Sequence, residues 1–279
     1  MRRFGERFPL FVVAGAVLVY FLVFAVPVLE TPTAFGRDAA QTPQSAPKQG
    51  LLHEVLLAVS VVALIFLLGW QRVGRVTSTP AWKGIWYAVL PILLTLSMLT
   101  IGIVIGSMNN LDFGALLGTG IVQSTLVFVI FVGVFEEVLF RGIVLHGLER
   151  RMDIVFALLL SSFLFGAMHY VNWIGGQSLS ATHAQVFHAG LSGILYGAIT
   201  LRCRSLWPAV FMHALWDFTV FMNAALIGNT ATTAEAEPQS NSFGTFLFQN
   251  FEPIIGVFVF LAYLRWRSKN PAAATIAPE

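Results

Sequence analysis

The chain has one cysteine and little charge. Cys203 alone excludes an internal disulfide and any cysteine-based zinc cluster, since each needs at least two thiols; its expected role is that of a small residue at a helix end. Only 11% of the 279 residues are charged, against about 25% in an ordinary soluble domain. A G-x-S-x-G serine elbow is missing as well. So is the second histidine that would make a zincin motif of His53 and Glu54 in HEVLL, because Leu57 stands in its place. His53 and Glu54 are therefore expected to be interfacial residues at the outer end of a helix. No internal repeat is visible, which argues against an inverted-repeat transporter.

What the chain has instead is apolar length, with 57% of its residues hydrophobic. Apolar runs occupy residues 8–29, 51–70, 84–106, 118–148, 154–172, 184–201, 206–226 and 246–266, each long enough to cross a bilayer or nearly so. The sequence thus predicts an all-α, polytopic membrane helical bundle of about eight transmembrane helices, and one integral membrane domain spanning residues 1–279. Two long polar connections, around 30–50 and 228–242, read as outer loops.

The basic residues test this count, because cytoplasmic loops are enriched in Lys and Arg. With both termini cytoplasmic, the inner segments hold Arg2, Arg3, Arg7, Arg72, Arg75, Lys83, Arg150, Arg151, Arg202, Arg204, Arg265, Arg267 and Lys269, which is thirteen of sixteen. Arg37 and Lys48 fall outside, and Arg141 lies within the fourth helix. The net charge of +2 therefore has a topological explanation, and no nucleic-acid partner is inferred. MRRFGER resembles a signal-peptide n-region, but the apolar run after it is about 22 residues, too long for a usual h-region; a retained helix is expected.

A short list of ionisable groups remains at membrane depth: Glu136, Glu137, Arg141, His146, His169, His188, His213 and Asp217. The three in FEEVLFRG alone would cost on the order of 8 kcal/mol on insertion scales, so they are expected to be buried within the bundle and used. At ~1.5 Å per residue, His213 lies ~10 Å from the cytoplasmic end of its helix, Asp217 ~16 Å, Glu136 ~19 Å and His169 ~23 Å. Three helices thus bring polar groups to overlapping heights. Glu137 and Arg141 have the i,i+4 spacing of an ion pair, which leaves Glu136, about 100° away, free for another task. His213 and Asp217 repeat that spacing on the seventh helix. His146 and His188 are expected to be structural, with His188, in the small-residue stretch FHAGLSGILYGA, the better outside candidate.

Carboxylate and imidazole together are what water activation requires, one group taking the proton while the other holds the water. A second imidazole can donate to the oxyanion that forms when water attacks an amide. Amide hydrolysis is the reaction class these residues suit.

These residues also resemble a known family. EEVLFR (Glu136, Glu137, Arg141) looks like an EExxxR motif, FGAMH (Phe165, His169) like FxxxH, and HALWD (His213, Asp217) like HxxxN or HxxxD. The order and spacing resemble those of the CPBP family of intramembrane proteases, relatives of the CAAX prenyl endopeptidases and of bacterial proteins linked to bacteriocin maturation and self-immunity. The resemblance covers about 118–220, the expected protease core. It implies a membrane-embedded endopeptidase in which Glu136 and His169 activate a water, His213 and residue 217 stabilise the oxyanion, and Glu137 with Arg141 shapes the site. The implied substrate is a membrane protein or peptide, and the implied location is the bilayer of a bacterial plasma membrane. Within the family both a glutamate mechanism without cofactor and a metal mechanism are described. If a Zn²⁺ is bound, Glu136, His169, His213 and Asp217 are its expected ligands, and the glutamate mechanism is the preferred expectation. An ionised Asp217 cannot donate to an oxyanion as asparagine can, so it either carries a proton, ligates a metal or orients His213. The alternative is a non-catalytic membrane protein, an immunity or scaffold protein, that binds a peptide in the same cavity.

Overall fold

A computed structural model describes residues 1–30, 46–228 and 243–271, with side chains for 1–25, 50–227 and 251–271. The polar connections around 30–50 and 228–242 fall outside the described residues except at their helical ends. Every described element is helical, as a backbone in lipid requires, because its N–H and C=O groups must pair within their own segment.

All eight predicted segments are helical. They are α1 (Pro9–Glu30), α2 (Ala46–Leu68), α3 (Trp86–Met108), α4 (Ile121–Glu137, prolonged to Glu149), α5 (Ile154–Met168), α6 (Leu179–Cys203), α7 (Trp207–Gly228) and α8 (Phe243–Lys269). Among the described residues, five stretches are long and apolar enough to cross a membrane by length and composition: Gly50–Leu68, Trp86–Met108, Ile154–Ile174, Leu179–Cys203 and Trp207–Ile227. Pro9–Ala25 is a shorter apolar helix. Helix ends carry the capping chemistry of their sequence. Asp153 accepts from the Val155 N–H at 2.9 Å to start α5, and Ser178 accepts from the Ala181 N–H at 3.3 Å to start α6. Gly120, at φ 71°, turns the chain into α4 through a conformation that disfavours residues with a Cβ.

The fourth segment departs from the single uninterrupted helix its hydropathy predicts. After Glu137 it widens into a π-helical turn, Val138–Val144, before a last α-helical turn, Leu145–Glu149. All seven residues of the π turn are buried. A side chain from α5 helps hold it: the Ser161 hydroxyl donates to the Phe140 carbonyl at 2.8 Å. Such widened turns are rare and concentrate at functional sites, and this one carries Arg141.

α6 lies at the centre, packed against α5, α7 and α8, while α2 packs on α4 and α7 on both α3 and α4. Glycines set the closest crossings. A Cβ on Gly166 would come within 2.5 Å of the Val186 carbonyl, and one on Gly193 within 3.0 Å of Ser162, so α5 and α6 touch backbone to backbone. That contact sets the end of α5 against Val186 and Gly190 of α6, with Ser162 and Leu158 of α5 facing the stretch of α6 that carries Tyr196. The largest apolar core forms around the π turn, with Val61 and Ile65 of α2 and Leu195 and Ile199 of α6 fully buried.

Candidate active site

His213, on α7, is the hub of the polar cluster. Its Nδ1 lies 3.0 Å from Glu137 Oε1, and its Nε2 lies 3.4 Å from Glu136 Oε2 and 3.5 Å from Asp217 Oδ2. The last two separations are longer than a good hydrogen bond, so Nε2 faces two carboxyl groups without being committed to either. Tyr196 of α6 stacks on the imidazole, with ring centres 4.9 Å apart and planes at 17°, and Phe165 meets it edge-on at 5.8 Å. The ring is thus held by two aromatic neighbours and at one nitrogen.

Glu137 and Arg141 form the ion pair that their spacing predicts, at 3.1 Å, and both are almost sealed from solvent at 0% and 1% exposure. Arg141 also donates to the Gly193 carbonyl at 3.2 Å, and its guanidinium lies 4.4 Å over Phe165 and 5.5 Å over Tyr196. A planar cation suits this site because it binds a carboxylate edge-on while stacking on aromatic faces. Four helices, α4 to α7, are tied together through these two side chains.

His169 occupies the residue after the last turn of α5, where the chain leaves regular helix. Its Nδ1 donates to the Phe165 carbonyl at 3.1 Å, since a carbonyl only accepts. Nε2 therefore keeps its lone pair. Glu136, His169, His213 and Asp217 all line one cavity of about 460 Å³, whose walls also include Phe24, Phe128 and Trp216. Glu137 and Arg141 lie behind that wall. His188 lines the cavity too, whereas His146 is remote from it, hydrogen-bonded to Glu149 at 2.9 Å and edge-on to Trp70.

The cavity contains two carboxyl groups that sequence reasoning misplaced or missed. Glu54 does not lie at an open interface as expected: it is 2% exposed and lines the cavity. Counting depth along α2 puts it near the outer end of its helix, and linear counting does not register a cavity formed between neighbouring helices. Glu252 of α8 was not singled out at all. It is buried, accepts from the Ser192 hydroxyl at 2.8 Å and from the Tyr196 hydroxyl, and lines the same space. Its only signal in the sequence is a carboxylate before Pro253 in an otherwise apolar stretch.

Among the described residues, no group of three or more His, Cys, Asp or Glu side chains is arranged to hold a metal ion. The four side chains expected to ligate Zn²⁺ are not gathered into such a group in the arrangement they adopt, and the proposal that follows uses the chain's own groups.

Residues 118–219 match the family model described as type II CAAX prenyl endopeptidase Rce1-like. The matched segment holds all three motifs and bears out the resemblance to the CPBP and CAAX proteases read from them. It supports a protease embedded in a membrane. No curated protein and no solved structure matches the chain.

Proposed function

We propose that the protein is an intramembrane endopeptidase that hydrolyses a peptide bond of a membrane-associated protein or peptide, using a water activated by Glu136 and His169. One observation carries this reading. The Glu137–Arg141 pair leaves Glu136 facing the cavity, which His169 also lines, and the Phe165 carbonyl holds His169 with its Nε2 lone pair free.

The steps follow from the donors and acceptors in place. Glu136 takes a proton from a water that His169 Nε2 holds as acceptor, and the water oxygen bonds to the carbonyl carbon. Negative charge gathers on the carbonyl oxygen. His213 Nε2, facing carboxylate oxygens that only accept, is suited to carry a hydrogen and donate it to that oxygen. Asp217 assists as a donor when it carries a proton, or orients His213 when it does not. Collapse of the adduct breaks the C–N bond, and Glu136 returns its proton to the leaving amine. Glu137 and Arg141 hold His213 and do not touch substrate.

The proposed setting is the plasma membrane of a bacterium, and this rests on the family resemblance alone. The test is cleavage of a panel of membrane peptides by the purified protein in lipid, comparing wild type with Glu136→Gln and His169→Ala. Loss of cleavage in both variants supports the hydrolase. Peptide binding with no cleavage by any form would favour the non-catalytic immunity or scaffold reading instead.

A further inference from the structure

Four carboxyl side chains line the cavity, and among the described residues no lysine or arginine does. Three of the four have a partner: Glu136 and Asp217 face His213, and Glu252 accepts from Ser192 and Tyr196. Glu54 has none among the described residues. It is 2% exposed, and its Oε2 is buried without a hydrogen-bond partner. A buried polar group left this way is unfavourable until a donor reaches it, and the side from which a donor can come is the cavity.

The surroundings specify what kind of donor fits. Gly50 and Glu54 are one turn apart on the same face of α2. The Phe128 ring packs so closely on Gly50 that a Cβ there would lie 3.0 Å from it. Phe24 meets the neighbouring His53 edge-on at 5.5 Å. Glu54 thus sits at the end of an aromatic wall, which suits an apolar stem ending in a charge. The four carboxyl groups outnumber the one imidazole, His213, that faces carboxyl oxygens with both its nitrogens, so the cavity favours positive charge, because a low-dielectric cleft rich in one sign focuses its field. Arg141, behind the wall, is already paired with Glu137.

We propose that Glu54 is a cation subsite of the substrate groove, receiving the ammonium or guanidinium group of a basic peptide beside the bond to be cut. The assignment rests on the peptidase reading of the same cavity and gives it a substrate class: membrane peptides with a Lys, an Arg or a free α-amine near the scissile bond.

The experiment is a positional scan. One lysine is moved through the positions flanking the cleavage site of a cleaved peptide, each variant paired with its norleucine counterpart, in N-acetylated and free-amine forms. In wild-type protein one register should favour lysine over norleucine by at least about tenfold in kcat/KM. Glu54→Gln should bring that ratio close to one, and Glu54→Asp should retain part of it. A preference that follows acetylation instead of lysine position identifies the α-amine as the source of the charge. Equal use of lysine and norleucine by wild type at every position overturns the proposal without reference to any variant, and so does an unchanged ratio in a folded Glu54→Gln protein. If wild type cleaves nothing, the peptidase reading fails, and equilibrium binding of the same labelled peptides to wild type and Glu54→Gln then decides: a lysine preference lost in the variant supports the subsite, and equal binding overturns it.

Discussion

His213 and Arg141 share a single carboxylate oxygen. Glu137 Oε1 lies 3.0 Å from the histidine Nδ1 and 3.1 Å from the arginine Nη1. The arginine therefore acts on the histidine through the carboxylate, and its own position depends on the Gly193 carbonyl and the faces of Phe165 and Tyr196. A point charge on a flexible stem cannot reproduce these contacts.

Arg141→Lys, which preserves charge, is accordingly expected to lower kcat by about a hundredfold, the scale of a small misplacement in an active site. KM should change much less, because Arg141 does not line the cavity. Steady-state kinetics on a cleaved peptide read this split. Wild-type kcat in a folded Arg141→Lys protein would show that the pair merely fills space.

The Tyr196 ring and hydroxyl serve different partners: the ring stacks on His213 and the hydroxyl donates to Glu252. Tyr196→Phe keeps the stack and removes one donor from a buried carboxyl group. It should destabilise the fold by about 1–3 kcal/mol in a denaturant titration while retaining most activity. Tyr196→Ala removes both contacts and should lose activity as well as stability. Equal loss of activity in the two variants would place the hydroxyl, and not the ring, in the catalytic machinery.

Asp217→Asn is expected to retain at least about a tenth of wild-type turnover, since an amide can donate where a protonated carboxyl group did. A strong chelator should leave both proteins unaffected. If the variant is almost inactive and chelation inhibits wild type, Asp217 is a metal ligand, and the water is activated by a metal instead.

Two ion pairs at the end of the bundle assigned to the cytoplasm should differ in weight. Arg75 and Glu149 meet at 2.8 Å with side-chain exposures of 3% and 15%, whereas Arg267 and Asp153 meet at 2.6 Å with 30% and 47%. Arg75→Ala leaves the largely buried Glu149 carboxylate with His146 as its remaining partner and should cost about 3 kcal/mol, the low end for breaking a buried pair. Arg267→Ala should cost less than about 1 kcal/mol, because water screens that pair. The hydrogen bond from Arg267 holds the Asp153 carboxyl below its ordinary range. The pair therefore contributes fully above the ordinary aspartate value, and its contribution fades as pH falls through the depressed one. Denaturation midpoints of both variants at pH 7, and of Arg267→Ala and wild type at acid pH, measure these differences; the gap between the last two should close in acid.

Hydropathy placed all eight helices, and spacing alone foretold the Glu137–Arg141 pair, because both depend on periodicities that a linear chain displays. The π turn was not legible: VLFRGIV reads as ordinary apolar helix, and its widening answers to partners such as Ser161 that are distant in sequence. The histidine at the end of FGAMH was expected within a helix and instead follows its last turn, which is what lets Nδ1 return to Phe165. Glu54 was misplaced, and Glu252 overlooked, for a related reason. Whether a carboxylate near a helix end meets water or a cavity is decided by the neighbouring helices, and no local pattern records them.

The central claim is that Glu136 takes a proton from the attacking water. Glu136→Gln keeps the size of the side chain and removes its basicity, so kcat on a cleaved peptide should fall by about 10²–10⁴-fold while the Kd for that peptide stays near the wild-type value. Turnover by Glu136→Gln within a few-fold of wild type would contradict the claim and move the search for the base to another group in the cavity.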